Sequence, residues 1–140
     1  MKKVILILVV IGFGISANAQ SPKTPLDVVN EMIRCAKNND KNGLLAHFAP
    51  RHESEWWSFN SWVGNKDTYD VSVYNLQYSQ DNSIVDLEVH CKSKMEISIY
   101  GDYAHFLTVF DIKLRKQKKN GQWEWKVINC TLSQSKSKKW

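Results

Sequence analysis

From Tyr103 to Leu132 the chain alternates apolar and polar residues in two long runs joined by Asn120-Gly121. A two-residue type I′ turn needs positive φ at both central positions, so this pair predicts a β-hairpin. Its register sets Lys119 against Gln122, Leu114 against Val127, Ile112 against Asn129 and Phe110 against Thr131. Gly101-Asp102 predicts a second tight turn, with Tyr100 opposite Tyr103, Cys91 opposite Ile112 and Val89 opposite Leu114.

Side chains on a strand alternate with period two, so the register also assigns the faces. One face collects Val85, Leu87, Val89, Cys91, Met95, Ile97 and Ile99 with Phe106, Phe110, Ile112, Leu114, Trp123, Trp125 and Val127. The other carries Asp86, Glu88, His90, Lys92, Lys94, Glu96, His105, Asp111, Lys113, Arg115, Glu124 and Lys126. A curved antiparallel meander with one buried face follows.

Upstream, the apolar period lengthens to that of helices. Ser21 to Asn39 predicts the first, with Thr24 as cap, Pro25 in the first turn and Asp27 at the positive end of the dipole. Leu26, Val29, Met32, Ile33 and Ala36 form its buried stripe. Asp40 caps a short helix over 41–48, closed by Ala49-Pro50, and a third runs from His52 to Val63 with Gly64 as its stop. Tyr69 to Tyr78 is the first strand, and a switch of apolar parity predicts a bulge near Val73-Tyr74. The second spans 84–100, with Ser93 on its buried face. The expected class is α+β: N-terminal helices packed on a curved four-stranded antiparallel meander, cone-shaped.

Composition adds a compartment. Lys2 and Lys3, an apolar run from Val4 to Ile15 and Ala17-Asn18-Ala19 read as a signal peptide over 1–19. The apolar run is short for a membrane span, and no lipid-attachable cysteine follows. Export to a periplasmic or extracellular space is the expectation, with one domain over 20–132 and a basic, mobile tail over 133–140. Losing Lys2 and Lys3 takes the formal charge from +5 to +3, weak ground for a nucleic-acid partner. Of three cysteines, the register turns Cys91 inward and Cys130 outward, which speaks against a bridge between them. Either Cys35 joins one bridge or all three are ordinary thiols.

The order of elements resembles the nuclear-transport-factor-2-like superfamily. The resemblance rests on the Asn39-Asp40 break, a short helix ending His47-Phe48-Ala49-Pro50, a third helix and a meander closing on Trp123-Glu124-Trp125-Lys126-Val127-Ile128. It implies a cone in which a curved sheet wraps helices, and an interior site in those members that are isomerases or dehydratases. Such enzymes place a titratable base inside the cone. In this chain the polar cone-facing positions of the last three strands are Ser93, Thr108, Asn129 and Thr131, none of them a base. His47, His52, Glu53, Glu55 and Asp70 remain as candidates from the helices and first strand. No catalytic set, metal-ligand cluster or cofactor motif emerges.

The leading expectation is therefore an exported non-catalytic domain binding a small apolar or amphipathic ligand, through His47, Trp57, Trp125, Asn129 and Thr131, or a protein partner. An exported inhibitor or immunity protein neutralising a toxin is the second reading, and an isomerase- or dehydratase-like enzyme the third. An outward apolar patch of Leu107, Val109, Ile128, Cys130 and Leu132 is a candidate protein interface; the resemblance implies a homodimer through that surface, the alternative being that the tail or a loop folds over the patch.

Overall fold

In the computed structural model, which describes residues 24–139, the chain begins with α1, Pro25–Lys37. Thr24 and Asp27 form a reciprocal capping box: the Thr24 hydroxyl accepts the Asp27 N–H, and the Asp27 carboxylate accepts the Thr24 N–H. This satisfies two N–H groups that the first turn leaves without helical partners. The buried stripe is Val28, Val29, Met32, Cys35 and Ala36. It is rotated from the one expected, for Leu26 faces solvent and Cys35 replaces it in the core. The proposed signal segment 1–19 lies outside the described residues.

Asp40 caps α2, Lys41–Leu45, by accepting the Gly43 N–H. A 3-10 turn, Glu53–Glu55, leads into α3, Trp56–Val63. Gly64 ends α3 where space demands it, since a Cβ there would sit 2.5 Å from the Ala36 carbonyl oxygen. Among the described residues no helix is long and apolar enough to cross a membrane.

Four strands follow: β1 (Thr68–Tyr78), β2 (Ile84–Glu96), β3 (Tyr103–Lys119) and β4 (Gln122–Lys139). They pair antiparallel in sequence order. The sheet curls over the helices without closing, an α+β architecture consistent with the cone that the sequence resembles. The core joins Val28, Met32 and Leu44 from the helices, Phe59 from α3 and Val85, Val89, Phe110, Ile112, Leu114 and Val127 from the sheet. Phe59 meets Phe110 edge to face, with centroids 5.5 Å apart. These side chains form one apolar core inside the curl.

The Asn120-Gly121 turn forms as expected, with φ of 52° and 81° and Lys119 paired to Gln122. The β2–β3 pairing differs from expectation by four residues: Val89 faces Phe110 and Cys91 faces Thr108. Ile97 to Asp102 form a loop, so Ile97 and Ile99 are exposed instead of lining the inner face. The offset is even, so parity is kept and every other β2 and β3 face assignment survives.

In β4 the displacement is odd. Leu114 pairs with Val127 but Lys113 with Asn129, leaving Ile128 as an extra residue in a bulge. The bulge reverses the faces from Asn129 to Leu132, until a second extra residue, Ser133, restores them. Cys130 turns into the core, whereas Asn129 and Thr131 move to the outer face. In β1 the bulge falls at Asn75-Leu76, slightly later than expected, with Asn75 at φ 58°. The segment expected to be a mobile tail from Ser133 continues as β4, pairing with β3 as far as Ala104–Lys139. Backbone bonding to the long β3 holds this polar segment, which adds no described residue to the core.

Candidate functional site

The five residues expected to meet around a ligand do not converge. Trp57 projects from α3 and is 64% exposed. Trp125 is buried against Tyr78, with ring centroids 6.1 Å apart, beside a hollow of about 380 Å³ that Lys116 also lines. His47 is half-buried after α2, on the β4 edge. Only Asn129 and Thr131 come together: Asn129 donates from Nδ2 to Thr131 Oγ1 at 3.2 Å and to the Asp111 carbonyl at 3.2 Å.

That pair belongs to a groove of about 530 Å³ on the outer sheet face. Asn75 and Gln77 come from β1, Asp86 and Glu88 from β2, Asp111 and Lys113 from β3, and Asn129 and Thr131 from β4. Lys113 Nζ lies 3.6 Å from Asp86. Glu88 and Asp111, by contrast, are register partners, placing two carboxylates opposite each other. Like charges so placed are unfavourable. His90 Nε2 lies 2.8 Å from Glu88, and this hydrogen bond holds the Glu88 carboxyl below its ordinary range. The groove thus offers amide and carboxylate acceptors and a single lysine.

The expected interface patch is divided by the β4 bulge. Leu107 and Val109 stay on the outer face, half-buried and buried respectively, and Ile128 sits half-buried in the bulge itself. Cys130 and Leu132 pair with Ile112 and Phe110, which puts both on the helix-facing side. The patch is not continuous, because one extra residue separates its halves.

Two of the candidate bases engage each other. His52 Nδ1 lies 2.9 Å from Glu55, and Glu55 also accepts the Cys130 N–H. A different cluster forms around His47. A carboxylate oxygen of Glu31, the Cys35 sulfur and an imidazole nitrogen of His47 all lie within 4.8 Å of one another. Both oxygens of Glu31 are held by Arg34, whose hydrogen bond keeps the carboxyl below its usual range. Burial lowers the His47 pKa, with Lys126 acting in the same direction, which favours the neutral imidazole. Burial, then the Glu31 charge, raises the Cys35 thiol.

Solved structures share this fold. The SEC-C motif containing protein from Psychrobacter arcticus superposes with a TM-score of 0.59 at 12% identity, over 82% of this chain and 64% of that one. The chain therefore spans under two thirds of that protein's length, and at such identity the likeness is one of fold alone. Weaker matches are hexachlorocyclohexane dehydrochlorinase LinA-type3 from Novosphingobium barchaimii LL02 and RV0760c from Mycobacterium tuberculosis in complex with estradiol-17beta-hemisuccinate. Their TM-scores are 0.46 and 0.44 and their identities 10% and 17%, over 80% and 78% of this chain and 86% and 94% of theirs. No family model and no curated protein matches the chain.

The groove had a legible cue in the sequence. Apolar parity in β4 runs through Trp123, Trp125 and Val127, then changes to Ile128, Cys130 and Leu132, the same kind of switch that located the β1 bulge. The Glu31–Cys35–His47 cluster had none beyond the helical spacing of its first two members.

Proposed function

We propose that this is a non-catalytic binding domain that engages a protein partner through the outer face of its sheet. The observation carrying the reading is the polar groove on the outer sheet face, while inside the curl Met32, Leu44, Phe59, Phe110 and Leu114 are buried in one apolar core. Small-molecule sites are typically apolar clefts of about 300–1,000 Å³. The groove has such a volume but the wrong lining, with three carboxylates and three side-chain amides. Acceptors so arranged suit a partner that presents lysine, arginine or amide donors.

An exported inhibitor fits the same description, since it needs a surface and no cavity. Homodimerisation is part of the proposal too, with the half-buried Leu107 of the outer sheet face at the contact. Export rests on the signal-like segment 1–19. An isomerase or dehydratase has less support, because His52 and Glu55 bind each other and β4.

Native mass spectrometry of the protein purified from its host tests the reading. The expected species is a dimer or a complex with a second protein, dissociated by the double variant Glu88→Lys/Asp111→Lys. A stoichiometric small-molecule adduct on a monomer would overturn it.

A further inference from the structure

Glu31 and Cys35 are four residues apart on α1, so their side chains lie on one face of the helix. The third member arrives by a separate route. After α2 the chain runs along the free edge of β4, where the His47 carbonyl accepts the Val127 N–H at 2.8 Å and the Ala49 N–H donates to the Val127 carbonyl at 2.9 Å. These two bonds fix the backbone around His47 against the sheet and bring its imidazole to the Glu31–Cys35 face.

We propose that Glu31, Cys35 and His47 form a three-ligand site for a divalent metal ion of the zinc class, with a fourth position open to solvent. Thiolate and imidazole donors select zinc and its late-first-row neighbours over calcium or magnesium. Ligands around tetrahedral zinc, at about 2.0–2.3 Å from the metal, stand about 3.3–3.6 Å from each other. The three donor atoms here all lie within 4.8 Å of one another, near that spacing.

The surroundings suit the site. Gly43 leaves the sulfur its room, because a Cβ at that position would come within 2.9 Å of Sγ. Arg34 binds both Glu31 oxygens, yet a carboxylate has about four lone-pair positions and retains some for a metal. Such outer hydrogen bonds orient carboxylate ligands. Two cations oppose the ion: Arg34, whose Nη2 is 3.7 Å from Sγ, and Lys126, whose ammonium is bonded to the Ala46 carbonyl. The carboxylate and the thiolate formed on binding, when the Cys35 proton passes to solvent, balance the metal's two charges. Cys35 is the buried member, while Glu31 and His47 are half-buried and supply the entry side.

The test uses untagged, reduced protein spanning 20–140. Titration with Co²⁺ is expected to saturate at one equivalent, with a sulfur-to-cobalt charge-transfer band and the intense visible bands of tetrahedral cobalt, displaced by Zn²⁺. Cys35→Ser and His47→Gln should abolish the band, and Glu31→Gln should weaken binding by about 10-fold or more. Cys91→Ser, which alters a buried thiol outside the cluster, should retain it. X-ray absorption at the zinc edge needs no variant and should give one sulfur at about 2.3 Å with nitrogen and oxygen at about 2.0–2.2 Å. No charge-transfer band, a band that survives Cys35→Ser, or a zinc shell without sulfur would each overturn the site.

Discussion

One carboxylate oxygen of Glu55 accepts the main-chain N–H of Cys130, seventy-five positions later, while the other lies 2.9 Å from His52 Nδ1. β4 is an edge strand, and its outward backbone groups need partners or cover. Glu55 caps one of them just beyond the bulge, and the Phe48–Val127 bridge caps the edge just before it. Replacing Glu55 with Ala leaves a buried N–H unpaired, at an expected cost of about 1–3 kcal/mol. Urea unfolding measures this. An unchanged midpoint would show that the bond has no structural weight.

The apolar core has its own test. Phe59→Ala removes a ring with no solvent exposure, and truncations of this kind cost about 3–5 kcal/mol. The cavity left is apolar, so the variant should regain stability with a small aromatic such as benzene. The unmodified protein should show no such gain in thermal melts.

Asp111 faces Glu88 across β2 and β3. Asp111→Lys converts a repulsive cross-strand pair into an attractive one, so the denaturation midpoint should rise while partner binding falls. A site kept at the expense of stability behaves this way. A variant that gains stability and still binds its partner fully would remove the groove from the interface.

Asp81 ties the β1–β2 turn, accepting from the Ser83 hydroxyl at 2.7 Å, the Ser79 hydroxyl at 2.8 Å and the Ser83 N–H at 3.0 Å. These bonds, that from the Ser83 side chain foremost, lower its pKa from 3.8 to about 2. The native state thus binds fewer protons than the unfolded chain between those values. Its contribution is complete above pH 3.8 and is lost as the pH falls toward 2. Asp81→Asn should be less stable than wild type at neutral pH, with the gap closing across that window in acid titrations followed by circular dichroism.

All three cysteines are free and buried. Burial pushes the Cys91 thiol up to about 12 and raises Cys130 as well, with Glu55 adding to the second. Thiolates are the reactive form, so native protein at pH 8 should alkylate slowly and unfolded protein should label at all three positions. Rapid labelling of any one of them in native protein would contradict its burial.

Period-two alternation, the Asn120-Gly121 turn and the Thr24–Asp27 cap determined the class of fold, the strand order and the faces of β2 and β3. Those features are local, and face assignment survives any even error in register, as the four-residue displacement between β2 and β3 shows. Tertiary structure decided what a single extra residue does: Ile128 reverses β4 as far as Leu132, sending Asn129 and Thr131 outward and Cys130 into the core. It also decided that Ser133 onward joins the sheet, because β3 offers backbone partners whatever side chains β4 carries. His47 meets Glu31 and Cys35 for a similar reason: only packing of the segment after α2 against the β4 edge brings together residues that local chain geometry leaves apart.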